Sequence, residues 1–159
     1  MIATQPLVEL ALIPLAGWAA DRFGAQPIVI IGTVLGVAAN TGYGLSTSVG
    51  GLFVSQVLMA GLWATIAGLG VSVAQSLYPA GVGVASSTFY SGLMFATAVG
   101  GVIGSAGVAR VGMPAVFFIP AGLCALAAVG MIFQTVRRRR AVAVPDPLVT
   151  VSRAERTAS

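Results

Sequence analysis

The sequence predicts an all-α integral membrane protein of five transmembrane helices, and three observations carry that expectation. Of its 159 residues, 57% are hydrophobic and only 8% charged, with a mean hydropathy of +0.98. A soluble domain carries about a quarter charged residues, so this chain cannot cover itself in water. The charges are also unevenly spread: residues 23–109 contain no Asp, Glu, Lys or Arg. Several runs within that interval reach the ~20 apolar residues that cross a ~30 Å hydrocarbon core as a helix. A β-barrel would need alternating polar and apolar residues, and "IVIIGTVLGVAA" does not alternate.

Each span follows from the same reading. The first covers Ile2 to Ala20 and the second Ile28 to Leu45. The third runs from Leu52 to Val73, the fourth from Val82 to Ala109, and the fifth from Ala115 to Val136. The connectors "DRFGAQP", "STSVGG", "AQSLYPAG" and "RVGMP" hold the Gly, Pro and Ser residues that stop helices and start turns. Residues 1–136 thus form one transmembrane domain. Residues 137–159 are a basic tail, rich in polar residues and Pro and without amphipathic period, expected to be disordered and cytoplasmic.

Composition excludes several classes of function. The net charge of +4 comes largely from Arg137 to Arg140 at the end of the last span. Such a run fixes topology rather than contacting nucleic acid. Cys124 is single and mid-span, there is no His, and no metal or cofactor site is predicted. No paired intramembrane acids and no nucleophile–base pair suggest an enzyme. The absence of Lys and His, with abundant Ala, Gly and Val, fits the codon usage of a GC-rich bacterial genome. The expected location is a multi-pass bacterial plasma (inner) membrane.

Arginine placement gives an orientation. With five crossings, a cytoplasmic Asp21-Arg22 loop puts Arg137 to Arg140 and the tail on the same side, leaving only Arg110 outside. That satisfies the positive-inside rule. Glycines supply the packing. Gly32 and Gly36, and again Gly100 and Gly104, stand four apart on one helix face, a spacing that lets backbones approach closely in lipid. Tight packing within one bundle is preferred to a dedicated dimerisation face.

Gly17-x-x-x-Asp21-Arg22-x-Gly24, between two spans, resembles the cytoplasmic loop signature of the major facilitator superfamily of transporters. In physical terms Gly17 permits close helix contact, Asp21 sits near the positive end of a helix, Arg22 stays among headgroups, and Gly24 supplies a free turn. Ala25-Gln26-Pro27 stands where the family usually has basic residues, which fits the looser second copy of the signature. Three further stretches, "LVELALIPLAGWAADRFG", "SQVLMAGLWATIAGLGVSVAQSLYP" and "GVGVASSTFYSG", are similar to the C-terminal half of bacterial sugar efflux transporters. The matching points are Glu9, Pro14, Gln56, Gln75 and Pro79. The resemblance, over residues 5–135, implies that the five spans correspond to helices eight to twelve of the major facilitator fold. It further implies that an N-terminal half and helix seven are missing, as in a truncated gene product.

Candidate solute- and proton-handling residues follow. Glu9 is the one acid deep in a span, where a charge costs ~2.5–3.5 kcal/mol and normally faces a cavity or partner; the competing reading is a shallower Glu reaching the interface. Gln5 lies one turn earlier on the same face. Gln56 and Trp63, seven apart on one face of the third span, suit a sugar through an amide and a stacking indole. Packing against lipid or a neighbouring helix fits them equally well. Tyr90 is the one candidate in the polar opening of the fourth span, whose Ser and Thr residues are expected to bond their own helix carbonyls. Asn40 reads as a bond between helices.

Two functions are therefore expected of such a chain in its bilayer. The first is export of a small hydrophilic solute, sugar-like by the resemblance, by proton antiport, with the missing N-terminal half as partner. The alternative is a non-transporting membrane subunit that assembles with a separately encoded half.

Overall fold

The computed structural model describes residues 4–142, and helix is the only regular structure among them. The elements are α1 (Thr4–Phe23), α2 (Ala25–Leu45), α3 (Val49–Leu77), a 3-10 turn (Pro79–Gly81), α4 (Val82–Val111), α5 (Met113–Val116) and α6 (Phe118–Val142). Two compact units are distinguished among them, one ending at Ala128 and the other beginning at Val129. The first holds α1 to α5 with the opening turns of α6, and the second the later turns of α6.

Among the described residues, four helical segments are long and apolar enough to cross a membrane: Ala25–Leu45, Val49–Leu77, Pro79–Val111 and Met113–Arg137. The fifth expected span, α1, is a helix of 20 residues but is not among them. Gln5, Glu9, Asp21 and Arg22 dilute its apolar run. The other boundaries shift for local reasons. α2 starts at Ala25 rather than Ile28, because Pro27 in the first turn forfeits only an N–H that has no helical partner. α3 continues past Val73 to Leu77, and "RVGMP" contains the start of α5 around Pro114. α6 runs through Val142, so the backbone of Arg137 to Arg140 is helical. The rest of the expected tail, 143–159, lies outside the described residues.

The reversals are tight. Gly24 alone separates α1 from α2; its φ of 90° is a conformation L side chains rarely adopt. Its N–H donates to Ala20 O at 2.8 Å, closing α1. α3 opens on Ser48, whose hydroxyl accepts from the Gly51 N–H at 3.2 Å, a side-chain cap on an otherwise orphan donor. Gly112, φ 83°, ends α4 with its N–H on Val108 O at 3.1 Å.

Packing is densest between α2 and α3, which run antiparallel. A Cβ on Gly32 would stand 2.8 Å from Thr65 Cβ, and one on Gly36 would stand 2.7 Å from Leu62 Cδ2. A Cβ on Gly42 would overlap the Ser55 hydroxyl, and one on Gly61 would stand 2.7 Å from Leu35 Cδ1. Each helix thus sets its neighbour's side chains into the hollows left by its own glycines, the close approach that associates helices in lipid. Ala39, Ala60 and Ala64 are the most deeply buried apolar residues here, so the core is made of small side chains. The buried polar residues Thr33, Asn40, Ser55 and Thr65 each bond within their own helix. Thr33 Oγ1 donates to Val29 O and Asn40 Nδ2 to Gly36 O, both at 2.8 Å. Asn40, expected to bond between helices, therefore bonds its own turn: its carbonyl partner lies one turn back, within reach of the short amide.

α1 joins this pair through the face of Ile13, whose Cγ2 would lie 3.7 Å from a Cβ on Gly68 of α3. α4 meets α3 only at its start. Gln75 Nε2 donates to Ser86 Oγ at 2.9 Å, and Phe89 covers Gly70. Ala85 is the one buried residue of α4, and residues 94–103 are all exposed. Contact resumes at Gly107, where a Cβ would stand 2.8 Å from Val116 Cγ2 and 3.1 Å from Ile119 Cδ1.

Candidate functional site

α1 has an inner and an outer face. Pro6, Leu7 and Leu10 are exposed, whereas Gln5, Val8, Glu9, Leu12, Ile13 and Ala16 are half-buried or buried. The 3.6-residue period puts the second set on one side. Glu9 and Gln5 accordingly belong to the side of α1 that carries Ile13 onto α3.

α1 and α3 both run antiparallel to α2 and so point the same way. With Ile13 beside Gly68, Glu9 falls about one turn back, at the level of Ala64, whereas Trp63, five residues before Gly68, points about 140° away from the face that α1 meets. Trp63 remains 37% exposed amid the buried Leu62, Ala64 and Thr65, so its indole is the large side chain that α3 leaves accessible at this level. Gln56 lies seven residues earlier on the same face, ~10 Å along the axis. Its Oε1 is buried and has no hydrogen-bond partner among the described residues. An orphan buried acceptor costs ~1–3 kcal/mol and calls for an explanation.

The structure therefore brings Gln5 and Glu9 onto one face of α1, and leaves Gln56 and Trp63 on a different face of α3 from the one that meets α1. Tyr90 stands apart. Its neighbour Phe89 packs on Gly70, while Tyr90 is 54% exposed and meets Phe89 edge-on at 5.6 Å between ring centroids. Two of the hydroxyls around it bond their own helix carbonyls: Ser86 Oγ donates to Val82 O at 2.9 Å and Ser87 Oγ to Val84 O at 3.0 Å. Among the described residues no group of three His, Cys, Asp or Glu could hold a metal ion.

The Gly17, Asp21, Arg22, Gly24 set occupies the last two turns of α1 and the reversal. Only Gly24 uses its glycine conformation. A Cβ on Gly17 would meet nothing within 4 Å, so the close helix contact expected there is not made. The reason is register: the tight approach of α1 to α3 falls at Ile13, a turn earlier. Asp21 is exposed, and α2 begins without a side-chain cap. The Arg22 guanidinium lies 6.0 Å from the Trp18 ring centroid and 5.9 Å from that of Phe23. A cation held between two exposed aromatics at a helix end suits the headgroup zone of a bilayer.

Sequence reasoning did not single out the Gln75–Ser86 hydrogen bond, which ties α3 to α4 across the Pro79 turn. A long polar side chain placed just before a helix-breaking turn, with a serine just after it, was the available signal.

Comparison with known proteins bears on this geometry. The family model described as Major Facilitator Superfamily matches residues 1–155. The tetracenomycin C resistance and export protein of Streptomyces glaucescens is 34% identical over 129 residues, which is 79% of this chain and 24% of that protein. The MFS-type transporter ppzB of Metarhizium majus (strain ARSEF 297) is 28% identical over 143 residues, 89% of this chain and 31% of that protein. The chain thus matches 24% and 31% of the length of these two relatives. No solved structure matches it significantly. With four apolar membrane-length helical segments among its described residues, and matched by the family model over nearly its whole length, the chain belongs to the Major Facilitator Superfamily.

Proposed function

We propose that this chain is the membrane-embedded part of an exporter that moves a small solute outward in exchange for protons. One observation carries the reading: an ionisable side chain, Glu9, lies half-buried on the inner face of α1. An acid at membrane depth is expensive unless it faces a pathway or a partner, and the family supplies the pathway. The orphan Oε1 of Gln56 offers an acceptor to a solute hydroxyl, and Trp63 offers a stacking face. Both favour a hydroxyl-bearing solute, sugars among them. The complementary half of the transporter would form the other wall. The Asp21-Arg22 turn and the C-terminus would face the cytoplasm, with every arginine but Arg110 inside.

The test is efflux from loaded vesicles carrying the transporter of which this chain is part, with and without an imposed pH gradient. Sugar analogues and tetracenomycin C, the compound in the name of the Streptomyces relative, are compared as solutes. Glu9→Gln should lower gradient-driven efflux by ten-fold or more while leaving expression and solute exchange intact. Equal pumping by parent and Glu9→Gln removes the proton role. Reporter fusions at Gln26 and Ser159 should both read cytoplasm, and a periplasmic signal at either site overturns the orientation.

A further inference from the structure

Pro14 stands in the interior of α1, ten residues after its start and nine before its end. A proline has no N–H to give the carbonyl four residues back, and its ring crowds that carbonyl. The Leu10 carbonyl therefore lacks its helical donor, and the turn from Leu10 to Pro14 is where α1 bends most readily. Pro6, Pro27 and Pro120, by contrast, stand third in their helices, where no bond of the helix is lost.

The same turn carries the seat of α1 on α3, and that seat is loose. On the α2–α3 seam a Cβ added to Gly32, Gly36 or Gly61 would collide with a facing side chain. On the α1–α3 contact a Cβ on Gly68 would lie 3.7 Å from Ile13 Cγ2 and 3.8 Å from Ile13 O, ordinary van der Waals distances. The hollow at Gly68 is thus unfilled, and Ile13 rides over it without interlocking. After Pro14, Ala16 is buried and the single-residue turn at Gly24 ties the end of α1 to α2. Before it, Leu12, Glu9, Val8 and Gln5 are only half-buried on the inner face.

We propose that α1 bends at Pro14, with Ile13 on Gly68 as the fulcrum. Residues 4–12 then swing as an arm against α2 and α3, while residues 16–23 stay seated. The swing carries Glu9 toward and away from an α2–α3 surface that holds no charged side chain. It changes the surroundings of the carboxyl without dismantling the helix that bears it, which makes Pro14 a positioning residue for Glu9. That use of the bend rests on the proton role proposed above; the bend itself does not. A bend of ~20° about a pivot ~9 Å away moves Leu7 by ~3 Å.

Double electron–electron resonance on the transporter of which this chain is part, in lipid nanodiscs, tests the bend. Spin labels go on Leu7→Cys, in the arm, and on Thr47→Cys, in the α2–α3 connection, with Cys124→Ala and any further cysteine replaced. The parent should show two distances ~3 Å apart, the displacement that a proline kink gives over this arm. Pro14→Leu, which restores a donor to the Leu10 carbonyl, should leave one distance and lower gradient-driven efflux several-fold at unchanged expression. Gly68→Ala, whose methyl reaches only van der Waals contact, should shift the balance of the two distances at least two-fold. A single narrow distance in the parent overturns the proposal, as do two distances that survive Pro14→Leu unchanged. Unaltered efflux from Pro14→Leu with the bend abolished overturns its service to Glu9. Two distances in the parent, with Glu9→Gln pumping as well as the parent, support the bend and remove the proton role alone.

Discussion

Two pairs of glycines with the same spacing have opposite surroundings. Gly32 and Gly36 on α2 are filled by Thr65 and Leu62 of α3, with Cys124 Sγ 3.3 Å from where a Cβ on Gly36 would be. Gly100 and Gly104 on α4 face open space. A four-residue glycine spacing is thus a capacity for close approach, and a neighbour in register must realise it. The α2–α3 seam has realised it. The middle of α4 presents it outward.

The largest test of this contrast is to fill both sites alike. Gly36→Leu inserts a side chain where Leu62 already stands and should cost about 3 kcal/mol or more, the upper end of overpacking. Gly100→Leu should stay within about 0.5 kcal/mol of the parent. Thermal unfolding of the two variants in lipid nanodiscs checks both, and equal losses would erase the distinction between the regions. A middle-sized effect belongs to the turn that leads into the seam. Gly24→Val forces a β-branched residue to φ 90° and should cost about 1–2 kcal/mol, visible as a lower unfolding midpoint. An unchanged midpoint would mean that the reversal relaxes to another shape. The smallest belongs to the link between the two regions. Gln75→Leu removes the hydrogen bond to Ser86, worth about 0.6 kcal/mol by the average for membrane helices. Its signature is faster hydrogen exchange in the first turns of α4, with the α2–α3 seam unaffected.

Much of this architecture is legible in the residues. The charge-free interval and the punctuation by Gly, Pro and Ser place the helices, and the 3.6-residue period puts Gln5 with Glu9 and Gln56 with Trp63. Boundaries depend on finer rules: Pro27 is compatible with a first turn, so α2 starts early, and polar Gln75 continues α3 beyond the apolar run. What the residues do not carry is which face meets which neighbour. Asn40 has the chemistry to bridge helices yet bonds the carbonyl a turn back, because that carbonyl is always within reach. Tyr90 and Phe89 are adjacent aromatics, and only the register of α4 on Gly70 decides that Phe89 packs while Tyr90 stays exposed. Gly17 sits in a spacing suited to close contact, but the approach of α1 to α3 falls at Ile13.

The single-residue turn at Gly24 also bears on how the protein is made. α1 carries Glu9, Asp21 and Arg22 and is less apolar than the helices that follow, so it is the weakest of them as an independent membrane-insertion signal. α2, with no charge at all, is a strong one. With one residue between them there is no slack for α1 to wait at the surface while α2 enters. The two should partition from the translocation machinery as a helical hairpin, α2 supplying the hydrophobic drive and Gly24 transmitting it. Lengthening that turn would uncouple the two and leave α1 to insert on its own merits, so the shortness of the link is a determinant of biogenesis as well as of the folded shape.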